Sequence, residues 1–97
     1  MKVVAHGPQV WFLLQDHDGY YLLARCSQSA AEFELLIKLS PDEYKEFHAC
    51  GRLYIDYLAA RINYWSREYA ARSVLNAYQP KVTAAIGEWS ASNAVGA

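Results

Sequence analysis

Two apolar runs on either side of a short polar stretch constrain the fold most strongly. VWFLLQ covers residues 10–15, YYLLARC covers residues 20–26, and DHDG lies between them. An Asp-Gly pair between β-favouring runs predicts a hairpin, here with Asp18 and Gly19 as the loop. Side chains of a strand alternate between two faces, and both faces are apolar here. One face carries Trp11, Leu13, Leu22 and Ala24, and the other pairs Leu14 with Leu23 and Phe12 with Arg25. A single helix layer would therefore leave one face of this sheet uncovered.

Residues 31–39, AEFELLIKL, fit two interpretations. Apolar side chains alternate with other residues from Glu32 to Leu39, which is typical of a half-buried strand. Ser29 and Glu32 also match a helix capping box, so a helix is the alternative. We favour the strand because the alternation covers eight positions and breaks once. The prediction is an N-terminal three-stranded antiparallel sheet.

A long helix is predicted to follow the sheet. Ser40, Pro41 and Glu43 supply an N-cap, a proline at the first helical position and a capping-box glutamate. One apolar stripe then runs along the helix through Tyr44, Phe47, Gly51, Tyr54, Leu58, Ile62, Trp65 and Tyr69. We expect it to face the sheet, with Gly51 allowing close approach. A helix from 41 to 69 would be about 43 Å long, so it must kink near Ser66 or project beyond the sheet.

A second stripe, the aromatic flank, lies beside the first. It contains Cys50, Leu53, Tyr57, Arg61, Tyr64 and Glu68. Tyr and Arg are enriched where proteins bind one another. We therefore predict that Tyr57, Arg61, Tyr64 and Glu68 form an interaction surface. Both stripes together make the helix apolar over about 200° of its surface, which is more than one sheet contact needs. With the uncovered sheet face, this predicts a homodimer.

The C-terminal part predicts one or two shorter helices. Residues 67–78 continue the helical pattern up to Pro80, and Val82, Ile86 and Trp89 have helical spacing. Residues 90–97 have the small and polar composition of a loose tail. The complete prediction is an α+β fold, with one domain over residues 1–89 and a tail over 90–97.

Composition limits the possible partners. The chain has 97 residues, a net charge of −1 and no run of Lys or Arg. Binding to nucleic acid or to an acidic membrane normally needs a basic excess, so we do not expect nucleic acid as a partner. No stretch has the pattern of a signal peptide or a membrane span. We expect a cytoplasmic protein without a membrane partner.

Patterns for catalysis and metal binding are weak. Asp16-His17-Asp18-Gly19 resembles the start of a calcium loop, but the glycine comes at the fourth position rather than the sixth. The histidines and the two cysteines have no zinc-ligand spacing. Cys26 with His48 is the only nucleophile and base that could be paired, and nothing local supports it. We therefore predict no catalytic residue, no metal site and no cofactor.

Aromatic residues also allow a different function. Tyr, Trp and Phe make up 14% of the chain. A pocket between sheet and helix, lined by Trp11, Tyr21, Tyr54 and Trp65, could hold a small molecule. The same four residues could equally form part of the core. A small-molecule-binding protein is thus the alternative to an interaction module.

Four short patterns resemble small, uncharacterised bacterial single-domain proteins. They are W-x-L-L-x-D-x-x-G-x-Y-x-L from Trp11, C-x-x-S-A from Cys26, L-S-x-x-E-Y from Leu39 and G-x-x-Y-I-x-x-L-A from Gly51. Such proteins are often accessory proteins of mobile elements or immunity-type binders encoded beside toxins. The resemblance assigns no catalytic residue to this sequence.

Overall fold

The computed structural model describes residues 1–7, 11–28 and 31–96. This part of the chain forms four strands and then four helices. They are β1 (Lys2–Gly7), β2 (Trp11–Asp16), β3 (Gly19–Gln28), β4 (Ala31–Lys38), α1 (Pro41–Cys50), α2 (Arg52–Tyr64), α3 (Ser66–Ala70) and α4 (Leu75–Gly96). The strands form one antiparallel sheet in the order β1-β2-β3-β4. The predicted α+β class is confirmed, but the described sheet has four strands instead of three.

Strand β1 is the one that the sequence analysis missed. Its residues, KVVAHG, do not alternate regularly between apolar and polar. The pairing with β2 shifts between Val3 and Ala5, and Val4 between them is exposed. An irregularity of this kind breaks the two-residue period by which a strand is recognised.

The predicted hairpin exists, but its register differs from the predicted one. Asp16 pairs with Gly19, so His17 and Asp18 form the loop. Leu14 consequently faces Tyr21 instead of Leu23. This shift by two residues leaves the composition of each face unchanged, because side chains alternate with a period of two.

Strand β4 settles the two interpretations of residues 31–39. Residues Ala31–Lys38 form a strand that pairs with β3 along its whole length, which confirms the strand. Ser29, the cap of the alternative helix, lies outside the described residues. So do Val10 at the start of the predicted first strand and Ala97 at the end of the predicted tail.

Helix α1 begins where the sequence predicts. The Ser40 hydroxyl accepts a hydrogen bond from the Glu43 backbone N–H at 3.2 Å, and the Ser40 N–H donates to the Glu43 carboxylate at 2.8 Å. Pro41 occupies the first turn. This capping box therefore fixes the start of α1.

The predicted long helix is interrupted twice. Gly51 separates α1 from α2 with φ 63° and ψ −139°, and Trp65 separates α2 from α3. A side chain on Gly51 would meet no atom within 4 Å, so the prediction of close approach is wrong. Its positive φ is the reason for glycine, since other residues rarely adopt this conformation. The second break, at Trp65, lies next to the predicted kink at Ser66.

The longest described helix is α4, which the sequence analysis divided and shortened. It has 22 residues and passes through Pro80. Pro80 and Asn76, whose carbonyl would normally bond to residue 80, both lie at exposed positions. The unpaired carbonyl is therefore tolerated on the outer side of the helix. Residues 90–96 are helical where a loose tail was predicted.

Helices cover both faces of the sheet. Helix α2 packs on the face formed by Trp11, Leu13, Leu22, Ala24, Cys26, Leu35 and Ile37. Helix α4 packs through Val82 and Ala85 on the opposite face, formed by Leu14, Tyr21, Leu23 and Leu36. The second sheet face, which the sequence analysis left uncovered, is thus covered by α4. Self-association through an open sheet face is therefore no longer supported. The outer side of α2 is the remaining candidate surface for self-association.

Candidate interaction surface on helix α2

Helix α2 carries apolar side chains on two opposite faces. Its inner face consists of Ile55, Leu58, Ala59 and Ile62, which are at most 1% exposed. The outer side chains Leu53, Tyr57 and Tyr64 are 78%, 57% and 74% exposed. Scattered surface leucines and tyrosines are ordinary, but three on one face of one helix form a patch.

The outer side chains follow a regular spacing. Leu53, Tyr57, Ala60 and Tyr64 are separated by four, three and four residues and are all exposed; we call them the outer ridge. This alternation of three and four matches the spacing of the apolar seam in a coiled coil. The inner face lies on the opposite side of the helix from the outer ridge. One helix can therefore pack on its own sheet and present a second packing surface.

Polar contacts tie α2 to the sheet on one side of the outer ridge. The indole N–H of Trp11 donates to Asp56 Oδ1 at 2.9 Å, and Asn63 Oδ1 accepts from the Ser27 backbone N–H at 3.0 Å. Arg52 donates to the carbonyl of His6 at 2.6 Å. No sequence pattern predicted these contacts of Asp56, Asn63 and Arg52. Their partners are 36 to 46 positions away in the chain, and no local pattern reveals such distances.

A cleft borders the other side of the outer ridge. It has a volume of about 440 Å³ and is lined by Arg61, Trp65, Glu68, Tyr69 and Arg72. Arg61 Nε donates to the Tyr69 hydroxyl at 3.0 Å. This hydrogen bond with Tyr69 raises the pKa of Arg61 above its ordinary value, so the guanidinium stays charged. The cleft therefore places a fixed positive charge next to exposed aromatic rings.

The four residues of the predicted interaction surface lie close to one another along the chain. Tyr57, Arg61 and Tyr64 are exposed on α2, and Glu68 is exposed on the short helix α3. Arg61 and Glu68 line the same cleft. Tyr64 packs edge-on against Trp65, with ring centroids 4.9 Å apart.

The four predicted pocket aromatics are not brought together. Trp11 and Tyr21, 3% and 1% exposed, belong to the cores on opposite faces of the sheet. Tyr54 is half-buried beside the α2 core, whereas Trp65 is 46% exposed. Since Trp11 and Tyr21 face opposite ways, these residues cannot line one pocket between sheet and helix.

Arg72 is an important residue that no sequence pattern indicated. Its guanidinium donates to Glu43 Oε1 at 2.7 Å and to the Lys38 carbonyl at 3.0 Å. It therefore joins the start of α1 to the end of β4. Burial alone would raise the pKa of Glu43, but the hydrogen bonds from Arg72 and Ser40 outweigh it and lower the pKa. Glu43 consequently stays ionised.

The hairpin loop gathers groups that could bind a metal ion. Ligand atoms of Asp16, His17 and Asp18 lie within 4.8 Å of one another. Lys81 and Lys38 contact the two carboxylates at 3.3 Å each. A hydrogen bond with the His17 backbone and the charge of Lys81 lower the pKa of Asp16. Ammonium groups of the chain thus already neutralise these carboxylates.

The possible nucleophile and base occupy different environments. Cys26 is fully buried in the core beneath α2, and this burial raises the pKa of its thiol. A raised pKa suppresses the thiolate that nucleophilic chemistry requires. His48 is exposed on α1, where its ring packs edge-on against Tyr44 at 4.4 Å between centroids. This arrangement offers no support for a catalytic pair.

Comparisons with known proteins add no family to these observations. No family model matches the chain, and neither a curated protein nor a solved structure matches it. The resemblance to small bacterial accessory proteins therefore stays a prediction. In the described ranges, the helices lack the length or the apolar character that a bilayer span requires.

Proposed function

We propose that this protein is a non-enzymatic interaction module that associates with a second copy of itself through α2. The observation that carries the proposal is the exposure of the outer ridge. Leu53, Tyr57 and Tyr64 are all more than half exposed on a helix whose inner face is fully packed. Helix folding within the chain therefore does not explain the apolar character of the outer ridge.

The chemistry of the surface supports binding to a protein. Tyrosine combines a large apolar ring with a polar hydroxyl, so it tolerates water when the protein is alone and buries well in a complex. Tyr57 and Tyr64 lie beside Arg61, and Tyr and Arg are among the residues that dominate binding energy in interfaces. The net charge of −1 favours a protein over a polyanion as the partner.

Molar mass in solution tests the proposal. Light scattering over a series of protein concentrations should show a wild-type dimer and a folded, monomeric Tyr57→Ala/Tyr64→Ala variant. Tyr44→Ala is the matched control, because Tyr44 is an exposed tyrosine on α1 outside the outer ridge. This control should dimerise like the wild type. A wild type that is monomeric at every concentration would contradict the proposed self-association.

The cleft beside the outer ridge favours one alternative, a small-molecule-binding protein. Its lining combines Trp65 and Tyr69 with two arginines and one glutamate. The aromatic rings and the excess of positive charge suit an anionic aromatic compound. A ligand bound there should raise the melting temperature with its concentration, and Trp65→Ala should abolish the increase. If no member of a panel of aromatic carboxylates shifts the melting temperature, this alternative loses its support.

A further inference from the structure

Charged side chains border the outer ridge at positions that matter for helix pairing. When Leu53 and Ala60 are heptad positions d, Tyr57 and Tyr64 occupy positions a. Asp56, an exposed residue, then occupies position g. In coiled coils, residues at g and e flank the apolar seam and determine the orientation of the partner.

Arg61 completes the pattern. It occupies position e, five residues after Asp56, on the opposite side of the outer ridge. In a parallel pair of helices, each g residue faces the e residue five positions later on the partner. In an antiparallel pair, g faces g and e faces e. Asp56 would then lie near Asn63 or Asp56 of the partner subunit, with no opposite charge.

We propose that two copies of the chain pair through parallel α2 helices, with Asp56 of each copy facing Arg61 of the partner subunit. The inference rests on the proposed self-association and adds the orientation of the two copies. Leu53, Tyr57, Ala60 and Tyr64 each meet the same residue of the other copy along a twofold axis parallel to the helices. Because the pairing is symmetric, the ion pair between Asp56 and Arg61 is present twice in the dimer.

Existing contacts hold both charged groups in position for this pairing. The bond from Trp11 uses one carboxylate oxygen of Asp56, and the bond to Tyr69 uses Nε of Arg61. Each bond restricts its side chain without using all of its polar atoms. An oriented ion pair loses less side-chain entropy on forming than one between two free side chains. The hydrogen bonds within one copy thus orient the two side chains for an ion pair between two copies.

Charge exchange tests the ion pair. Asp56→Arg gives each helix two positive positions, and Arg61→Asp gives each two negative ones. Either variant alone should dimerise about tenfold more weakly than the wild type, because two attractions become two repulsions. An equal mixture of the two variants should recover wild-type affinity as a heterodimer, measured by light scattering and by native mass spectrometry.

Asp56→Arg loses the hydrogen bond from Trp11 and could therefore fold less stably. Arg61→Asp is the second variant that keeps the test valid if this happens. Arg61→Asp keeps that bond and loses only the exposed hydrogen bond from Arg61 to Tyr69, so its circular dichroism should match the wild type and its melting temperature should fall only slightly. If both folded variants dimerise as tightly as the wild type, the ion pair is wrong. If neither regains affinity in the mixture, the parallel pairing is wrong as well.

A disulfide tests the orientation independently. In a Cys50→Ser background, Leu53→Cys places one thiol at a d position, where parallel helices bring the two copies into contact. In the antiparallel pairing that aligns Leu53 with Tyr64, the two thiols would be about 16 Å apart. Mild oxidation should therefore cross-link Leu53→Cys but not Ala91→Cys, an exposed control on α4.

The outcomes separate this inference from the proposed function. A wild-type dimer that Tyr57→Ala/Tyr64→Ala dissociates, without a cross-link at residue 53, would keep self-association and overturn the parallel pairing. A wild type that stays monomeric at all concentrations would overturn both. Dimerisation with efficient cross-linking and charge-exchange rescue is the expected result.

Discussion

The inner and outer faces of α2 have similar apolar character and opposite environments. The inner face is excluded from solvent, whereas the outer side chains Leu53, Tyr57 and Tyr64 remain mostly exposed. Hydrophobic stabilisation follows the area removed from water, so only the inner face stabilises the isolated chain. The difference teaches that apolar composition alone does not reveal whether a face serves folding or binding.

The largest expected effect comes from the inner face. Leu58→Ala should lower the free energy of unfolding by about 2–5 kcal/mol, because it leaves a cavity in a packed core. Urea denaturation of wild type and variant measures this loss. The matched change on the other face is Leu53→Ala. A loss below about 1 kcal/mol for Leu58→Ala would show that the inner face is not packed as described.

The break before α2 should give the next largest effect. Gly51→Ala should cost about 1–3 kcal/mol, because φ is 63° there and alanine is strained in this conformation. Gly87→Ala is the control, since Gly87 lies in α4 without a positive φ and without an atom within 4 Å of an added Cβ. Gly87→Ala should be neutral or stabilising. Equal effects of the two variants would contradict the conformational role of Gly51.

Acid should weaken the contact that joins α1 to the end of β4. The pKa of Glu43 is lowered from its ordinary value of 4.5, so its ionisation stabilises the fold above that pH. This contribution is lost as the pH falls below 4.5 through the lowered pKa. Glu43→Gln should therefore show a shallower loss of stability over this range in urea titrations. An identical pH dependence of variant and wild type would exclude a role for Glu43.

The smallest effect on folding is expected on the outer ridge. Leu53→Ala should change the unfolding free energy of the monomer by no more than about 0.5 kcal/mol, because the side chain is already in water. Measurement at a concentration at which light scattering gives the monomer mass separates this effect from any self-association. A loss as large as that of Leu58→Ala would mean that the two faces of α2 do not differ.

Local signals in the sequence predicted part of this structure. Ser40, Pro41 and Glu43 identified the start of α1, because capping depends on residues three positions apart. The alternation from Phe33 to Leu39 identified β4. Strand β1 was missed because its pairing is irregular at Val4. Pro80 ended a helix in the prediction, although an exposed turn tolerates it.

The sequence indicated which residues form the candidate surface, but not which parts of the chain pack around it. Tyr57, Arg61 and Tyr64 were selected because aromatic and charged residues alternate along one side of a helix. Which side faces the sheet depends on distant partners such as Trp11, which bonds to Asp56 across 45 positions. Coverage of the second sheet face by α4 also depends on residues far apart in the chain. The periodicity of a helix therefore could not predict it.

Hydroxyl-radical footprinting at increasing protein concentration tests the central claim most directly. If a second copy covers the outer ridge, the reactivity of Leu53, Tyr57 and Tyr64 should fall together as the concentration rises. The reactivity of Tyr44, which is 41% exposed on α1, should stay constant and serve as the internal reference. Unchanged reactivity of the outer ridge at every concentration would contradict the claim that its exposed side chains bind another copy.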